Sequence, residues 1–228
     1  LRKNRGGGIM FSKISYNVLP NYMITYWISN GLMNVFKKSK PLIQYATPKQ
    51  GLATGDNNRF VRLWWEVSQD KSYYGATDTI NAFYTGKKWF PYNKGGEYRK
   101  WFGNDYYVVN WENNGKQIND YSGSVIRNPK YYFNEAISWS KICSSTISFR
   151  YKPCGNIFDV AGCSIFSDSG MLTYLLGLLN SNLIMEILEF MAPTLNYEVG
   201  QISELPIIVA DNSHIDDTVE INKKISKQ

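Results

Sequence analysis

One histidine, three cysteines and no long apolar run are the first absences in this 228-residue chain. His214 stands in a polar stretch beside Asp216 and Asp217, so it reads as an exposed tail residue rather than a catalytic base, and no nucleophile triad can be assembled without it. Cys143, Cys154 and Cys163 lie 11 and 9 residues apart, which excludes a C-x-x-C zinc or redox pair. An odd thiol count without a signal peptide points to a reducing cytoplasm. Asp216, Asp217 and Glu220 read as a solvated helix face, not a metal site. The longest apolar stretch, Met171 to Met191, is broken by Asn180, Ser181, Asn182, Glu186 and Glu189, so a membrane span is not expected. No repeat of 20–50 residues is present, which rules out a solenoid or propeller. Gly6-Gly7-Gly8 leads into Ile9 and Met10, not Lys-Ser/Thr, and reads as a connector instead of a phosphate loop. The chain opens on Leu1 and its first methionine is Met10, from which a piece of a larger protein is expected.

What is there is apolar, aromatic and unevenly charged. Hydrophobic residues at 43% suffice for a packed core, so disorder is excluded. Residues 1–60 carry nine Lys/Arg and one acid (+8), residues 61–130 ten and seven (+3), and residues 131–228 six and eleven (−5). A basic front and an acidic rear suggest one surface for a polyanion and another for different contacts.

Spacing of apolar residues from Ile24 to Phe36 predicts a helix, with Lys37 and Lys38 complementing its dipole in the last turn. Strands are expected over Phe60–Val67, Tyr106–Trp111, Ile147–Tyr151 and Ile157–Phe166, with a turn at Asn113-Asn114-Gly115. One helix is expected over Met171–Met191, a short buried strand over Gly200–Val209, and a fraying tail from Asp211.

The densest unusual stretch, Gly86 to Asn113, interleaves Lys87, Lys88, Lys94, Arg99 and Lys100 with six aromatic rings and the amides of Asn93, Asn104, Asn110 and Asn113. Cations release counterions from phosphates, and amides and rings read or stack on bases. The same alternation equally suits a strand hairpin with an aromatic core and a lysine rim. Trp64, Trp65, Trp101 and Trp111 are assigned to the core.

At these residues the chain resembles the C-terminal part of the PglX family, the adenine-specific DNA methyltransferases of BREX phage-defence systems, and the specificity portions of fused type II restriction–methylation enzymes. The blocks that carry the resemblance are GLATGDNNRF followed by VRLWWEV (Gly51 to Val67), KWFPYNKGGEYRKWFGN followed by VVNWENNG (Lys88 to Gly115) and RNPKYYFNEAISWS (Arg127 to Ser140). LLGLLNSNL (Leu175 to Leu183) and PTLNYEVGQISELPII (Pro193 to Ile208) complete it in the family's order. The catalytic Asn/Asp-Pro-Pro-Tyr/Phe motif of such enzymes is missing: Asn128-Pro129-Lys130-Tyr131 has lysine at the second proline and reads as a turn.

The resemblance implies an α+β target recognition domain like that of type I specificity subunits, with a mixed or antiparallel sheet core and flanking helices. It would span residues 21–210, between a linker (1–20) from an upstream methyltransferase domain and a polar tail (211–228). Its implied role is non-catalytic recognition of a short site in double-stranded DNA, with S-adenosylmethionine held by the parent enzyme and no cofactor or metal in this fragment. Lys87, Lys88, Lys94, Arg99 and Lys100 are expected at phosphates or guanine edges and Asn93 and Asn104 at bases. Thr54, Asn57 and Arg59 belong to a loop with Gly51 and Gly55 that either approaches the DNA backbone or is simply a tight turn. Other implied partners are the upstream domain, other BREX proteins and phage DNA-mimic inhibitors. A carbohydrate-binding module or a protein-interaction domain without DNA specificity are the competing readings.

Overall fold

The computed structural model describes residues 29–210 and 213–227, so the linker expected at 1–20 and the start of the helix expected from Ile24 lie outside the described residues. The chain divides into two units. In the smaller, residues 1–40 and 206–208, helix α1 (Asn30–Lys38) starts where the Ser29 hydroxyl accepts from the Leu32 amide and ends on Lys37 and Lys38, as the dipole argument expects. The two-residue strand β10 (Pro206–Ile207) belongs to the same unit, and the division falls within the two-residue strand β1 (Lys40–Pro41).

The larger unit is α+β, with two four-stranded sheets. One is wholly antiparallel, in the order β2 (Thr47–Lys49), β9 (Ser164–Phe166), β6 (Ala136–Trp139), β7 (Phe149–Lys152). The other runs β3 (Val61–Leu63), β5 (Tyr107–Asn110), β4 (Trp89–Asn93), β8 (Ile157–Phe158), and its β4–β8 pair is parallel. Short helices α2 (Asn57–Phe60), α3 (Thr79–Tyr84) and α4 (Glu112–Asn119) decorate the second sheet's connections. The C-terminal part holds α5 (Ser169–Leu179), α6 (Asn182–Met191), α7 (Val199–Ser203) and α8 (Ser213–Ser226).

Part of the aromatic content forms the core beneath the second sheet. Phe90 packs edge-on against Phe133 at 5.7 Å between ring centroids, Trp111 against Tyr132 at 5.2 Å and Tyr132 against Phe158 at 5.5 Å. The rings come from segments far apart in the sequence, and together they build one core.

Several element boundaries differ from the sequence reading. Phe60–Val67 is three pieces: Asp56 caps α2 by accepting from the Arg59 amide, β3 lasts three residues, and the Glu66 carboxylate accepts from the Leu63 amide to hold a 3-10 turn over Trp64–Glu66. Met171–Met191 breaks at Asn180 into α5 and α6, bent by 69°. Gly200–Ser203 is helical, because Glu198 and Gln201 close a reciprocal cap, and only Pro206–Ile207 is strand. Past the undescribed residues 211 and 212, the tail is not frayed; α8 packs on α5 and buries Val219. Among the described residues no single helix is long and apolar enough to cross a membrane.

Candidate functional site

The turn after β2 and the turn after β4 meet around one carboxylate. Asp159, just beyond β8 and 3% exposed, accepts from the Tyr92 hydroxyl at 2.6 Å and from the Ala161 amide at 2.6 Å, and pairs with Lys94 Nζ at 3.2 Å. Lys94 also donates to Asn57 Oδ1 at 3.1 Å, and Thr54 Oγ1 donates to the same oxygen at 2.9 Å. Three of the residues singled out in the sequence, Thr54, Asn57 and Lys94, thus form one network. Beside it the exposed Arg59 guanidinium lies over the rings of Phe60 and Tyr121, 5.2 and 5.6 Å from their centroids.

This network is held rigidly. Burial, reinforced by the neighbouring Asp159 carboxylate, pushes the Tyr92 phenol well above its ordinary value, so it stays a neutral donor. An ammonium carries three donors, and the two spent on Asp159 and Asn57 leave one for an outside acceptor. Tyr92 and Asp159, which orient Lys94, were missed in the sequence. Tyr92 shares the buried face of β4 with Phe90 and so reads as core, and Asp159 lies 65 residues from Lys94, so no local pattern reveals the pairing.

The remaining candidates fall elsewhere. Lys87 and Lys88 precede β4 and Lys94 follows it, so at about 3.3 Å per residue Lys88 and Lys94 stand about 20 Å apart. Lys87 Nζ donates to the Asp70 carbonyl, and Lys88 lies 5.5 Å from the Trp89 ring centroid. Arg99 is exposed, its guanidinium 3.4 Å from the Tyr106 hydroxyl. Lys100 donates to the Asn180 carbonyl at 3.0 Å, closing the end of α5 instead of presenting its charge outward.

Burial corrects the reading of Asn93 and Asn104 as base readers. Asn93 is 1% exposed and its amide nitrogen donates to Ser138 Oγ at 2.7 Å and the Gly162 carbonyl at 3.0 Å, tying the two sheets together. Asn104 is 5% exposed, left-handed at φ +61°, and donates to the Glu97 carbonyl. The Asn93 amide oxygen in turn accepts from the Gly95 amide, so both ends of that side chain are used inside the protein. Trp111 is core as expected and Trp101 half-buried, but Trp64 and Trp65 are exposed at 43% and 56%, since the 3-10 turn swings them off the strand.

Two buried cations escaped the sequence reading as well. Lys152, 1% exposed, donates to the Gly103 carbonyl and pairs with Asp105, and Arg150, fully buried, donates to the Ser140 and Ser148 hydroxyls. Burial lowers the Arg150 guanidinium to about 10.

Asn128, at φ +54° before the turn Pro129–Tyr131, donates its amide to the Gln50 carbonyl at 2.8 Å. In the Gly51–Gly55 turn a Cβ on Gly51 would sit 1.8 Å from the Phe158 carbonyl oxygen and one on Gly55 2.4 Å from Gly123, so these glycines serve close backbone packing.

No family model matches the chain. Over 220 residues, 92% of its length, it is 36% identical to "Adenine-specific methyltransferase PglX" of Lacticaseibacillus casei (strain Zhang). Over 216 residues, 93% of its length, it is 34% identical to "Adenine-specific methyltransferase BrxX" of Escherichia coli O9:H4 (strain HS). It spans only 18% and 17% of these relatives. The chain is homologous to the PglX and BrxX adenine-specific methyltransferases, of which it represents less than a fifth.

Proposed function

We propose that this chain is the DNA-reading part of a BREX adenine-specific methyltransferase, acting in the cytoplasm without catalysing the transfer itself. An upstream domain of the same polypeptide would hold S-adenosylmethionine and methylate a flipped adenine, while this part grips the duplex and selects the site. The observation that carries the reading is the junction of two turns at Asp159. It leaves one Lys94 donor, the Asn57 amide and the Arg59 guanidinium at the surface, in a chain homologous to adenine-specific methyltransferases. Phosphates would be held by Arg59 and Lys94, with Arg99, Lys87 and Lys88 as outlying contacts. A phage DNA-mimic inhibitor would meet the same cations.

The test is duplex binding by the full chain across a salt series. Arg59→Ala and Arg99→Ala are the variants of choice, because both side chains are exposed and neither pairs with a buried carboxylate. Each lost phosphate contact is expected to weaken binding at low salt and to flatten the log-affinity against log-salt slope by about 1. Unchanged affinity and slope in the double variant would remove this surface from the proposal. Sequencing the methylome of cells with and without the full-length gene then tests the parent activity through loss of an N6-methyladenine motif.

A further inference from the structure

A pocket of about 320 Å³ opens on the face of the β3–β5–β4–β8 sheet that points away from the aromatic core. Its floor is Pro91 and Val108, paired in register and alternating with the core pair Phe90 and Val109. Its walls are rings, among them Trp64, Tyr74 and Phe102, and the first two are 43% and 44% exposed. Two acceptors stand in this apolar lining. Asp105 is half-exposed, with one carboxylate oxygen held by Lys152 from below. The Asn156 amide nitrogen donates to the Pro153 carbonyl, which leaves its oxygen as the end of the amide without a partner among the described residues. Two cations flank the rim. Arg99 lies over Gly103 and reaches the Tyr106 hydroxyl, within the loop that supplies Phe102, Asp105 and Tyr107, and Lys227 Nζ lies 4.8 Å from the Phe102 ring centroid.

Ring walls, acceptors in the lining and cations outside select a ligand with a flat ring, donors on its edge and an anion attached. A sugar lacks the anion and the flat ring; an aromatic side chain of a peptide lacks the edge donors or the anion. We propose that this pocket takes an unstacked nucleobase of a phosphate-bearing nucleotide, with an amino group of the base toward Asp105 and Asn156 and the phosphate toward Arg99 and Lys227. Adenine, guanine and cytosine carry such an amino group and thymine does not, so thymine is the poorest occupant. The pocket itself is independent of the duplex-binding reading; only an unpaired base within DNA as the nucleotide's source rests on it.

The experiment titrates the full chain into three probes: a paired duplex, the same duplex with one unpaired 2-aminopurine or guanine, and free GMP. Expected is about tenfold tighter binding to the duplex with the unpaired purine, quenching of the 2-aminopurine, and a smaller gain for unpaired thymine. Trp64→Ala with Tyr74→Ala, at exposed positions whose loss the core tolerates, should abolish that gain and leave paired-duplex affinity unchanged. Saturable GMP binding, lost in the same variant and without preference for the unpaired base, keeps the pocket chemistry and assigns its source to free nucleotides. Equal affinity for the paired duplex and the duplex with the unpaired purine, with no saturable GMP binding, overturns the inference while the duplex-binding proposal stands. Loss of all duplex binding with GMP binding retained sinks that proposal and not this one.

Discussion

Gly115 stands at φ +71° as the third of three left-handed residues, after Asn113 at +50° and Asn114 at +55°, and a Cβ there would lie 2.5 Å from the Trp111 ring. Asparagine tolerates this region, whereas a side chain at Gly115 meets both the backbone cost and a core tryptophan that cannot retreat. Gly115→Ala should therefore destabilise the fold by about 2–5 kcal/mol, from roughly 1–2 for the conformer and 1–3 for overpacking. An unfolding free energy from urea melts that falls by less than about 1 kcal/mol would show that the turn rearranges freely. A buried thiol contributes to the loss of stability at alkaline pH. Burial pushes the Cys163 thiol up to about 12 from its ordinary 9. Above pH 9 the unfolded chain sheds this proton and the folded chain keeps it, so the contribution to stability falls as pH rises from 9 toward 12. Cys163→Ala should lose less stability than the parent chain over that window. Identical pH profiles would show that the buried thiol does not titrate as described.

At the scale of the element, the bend between α5 and α6 depends on one side chain. Asn180 Oδ1 accepts from the Phe149 amide at 3.1 Å, and its Nδ2 donates to the Phe149 carbonyl at 2.9 Å, so a helix end takes the place of a neighbouring strand beside β7. Ser181 then starts α6 by accepting from the Ile184 amide. The Phe149 carbonyl also accepts from the Trp101 amide at 3.2 Å, so Asn180→Ala would strand only the buried Phe149 N–H, at about 1–3 kcal/mol, and an unfolding free energy unchanged from the parent would contradict that account. The same asparagine explains what was legible in the sequence. Local signals survived folding: β5 within Tyr106–Trp111, the left-handed turn at Asn113-Asn114-Gly115, and the lysines ending α1. Features set by distant partners did not. An asparagine within an apolar run looks like a polar interruption until Phe149 is known to lie beside it, and the α8 segment looks like a tail until α5 offers Val219 a place to bury. The candidate site divides in the same way. Thr54, Asn57, Arg59 and Lys94 could be named from their residue types, but Tyr92 and Asp159, which hold them together, could not.

For the molecule as a whole, burial widens the charge asymmetry. Among the described residues, three of the six cations beyond residue 130 (Arg150, Lys152, Lys223) are buried but only one acid, Asp159, so that part meets solvent more acidic than its composition. A polyanion is repelled there, so the duplex binding proposed above is assigned to the basic front. That front contains two kinds of cation. Residues 1–28 carry Arg2, Lys3, Arg5 and Lys13 without an acid, whereas Arg59 and Lys94 belong to the turns around Asp159. Deleting residues 1–28 lowers the formal charge from +6 to +2, since four cations and no anion are lost. If the leading cations add only diffuse attraction, the shortened chain binds duplex DNA more weakly at low salt and with a shallower salt slope. The factor lost on Arg59→Ala should nevertheless be the same in both chains to within about twofold, because independent sites add to within about 0.3–0.5 kcal/mol. A substitution that costs affinity in the full chain and nothing in the shortened one would mean that the leading cations hold the DNA against Arg59, and the turns around Asp159 would cease to be an interface in their own right.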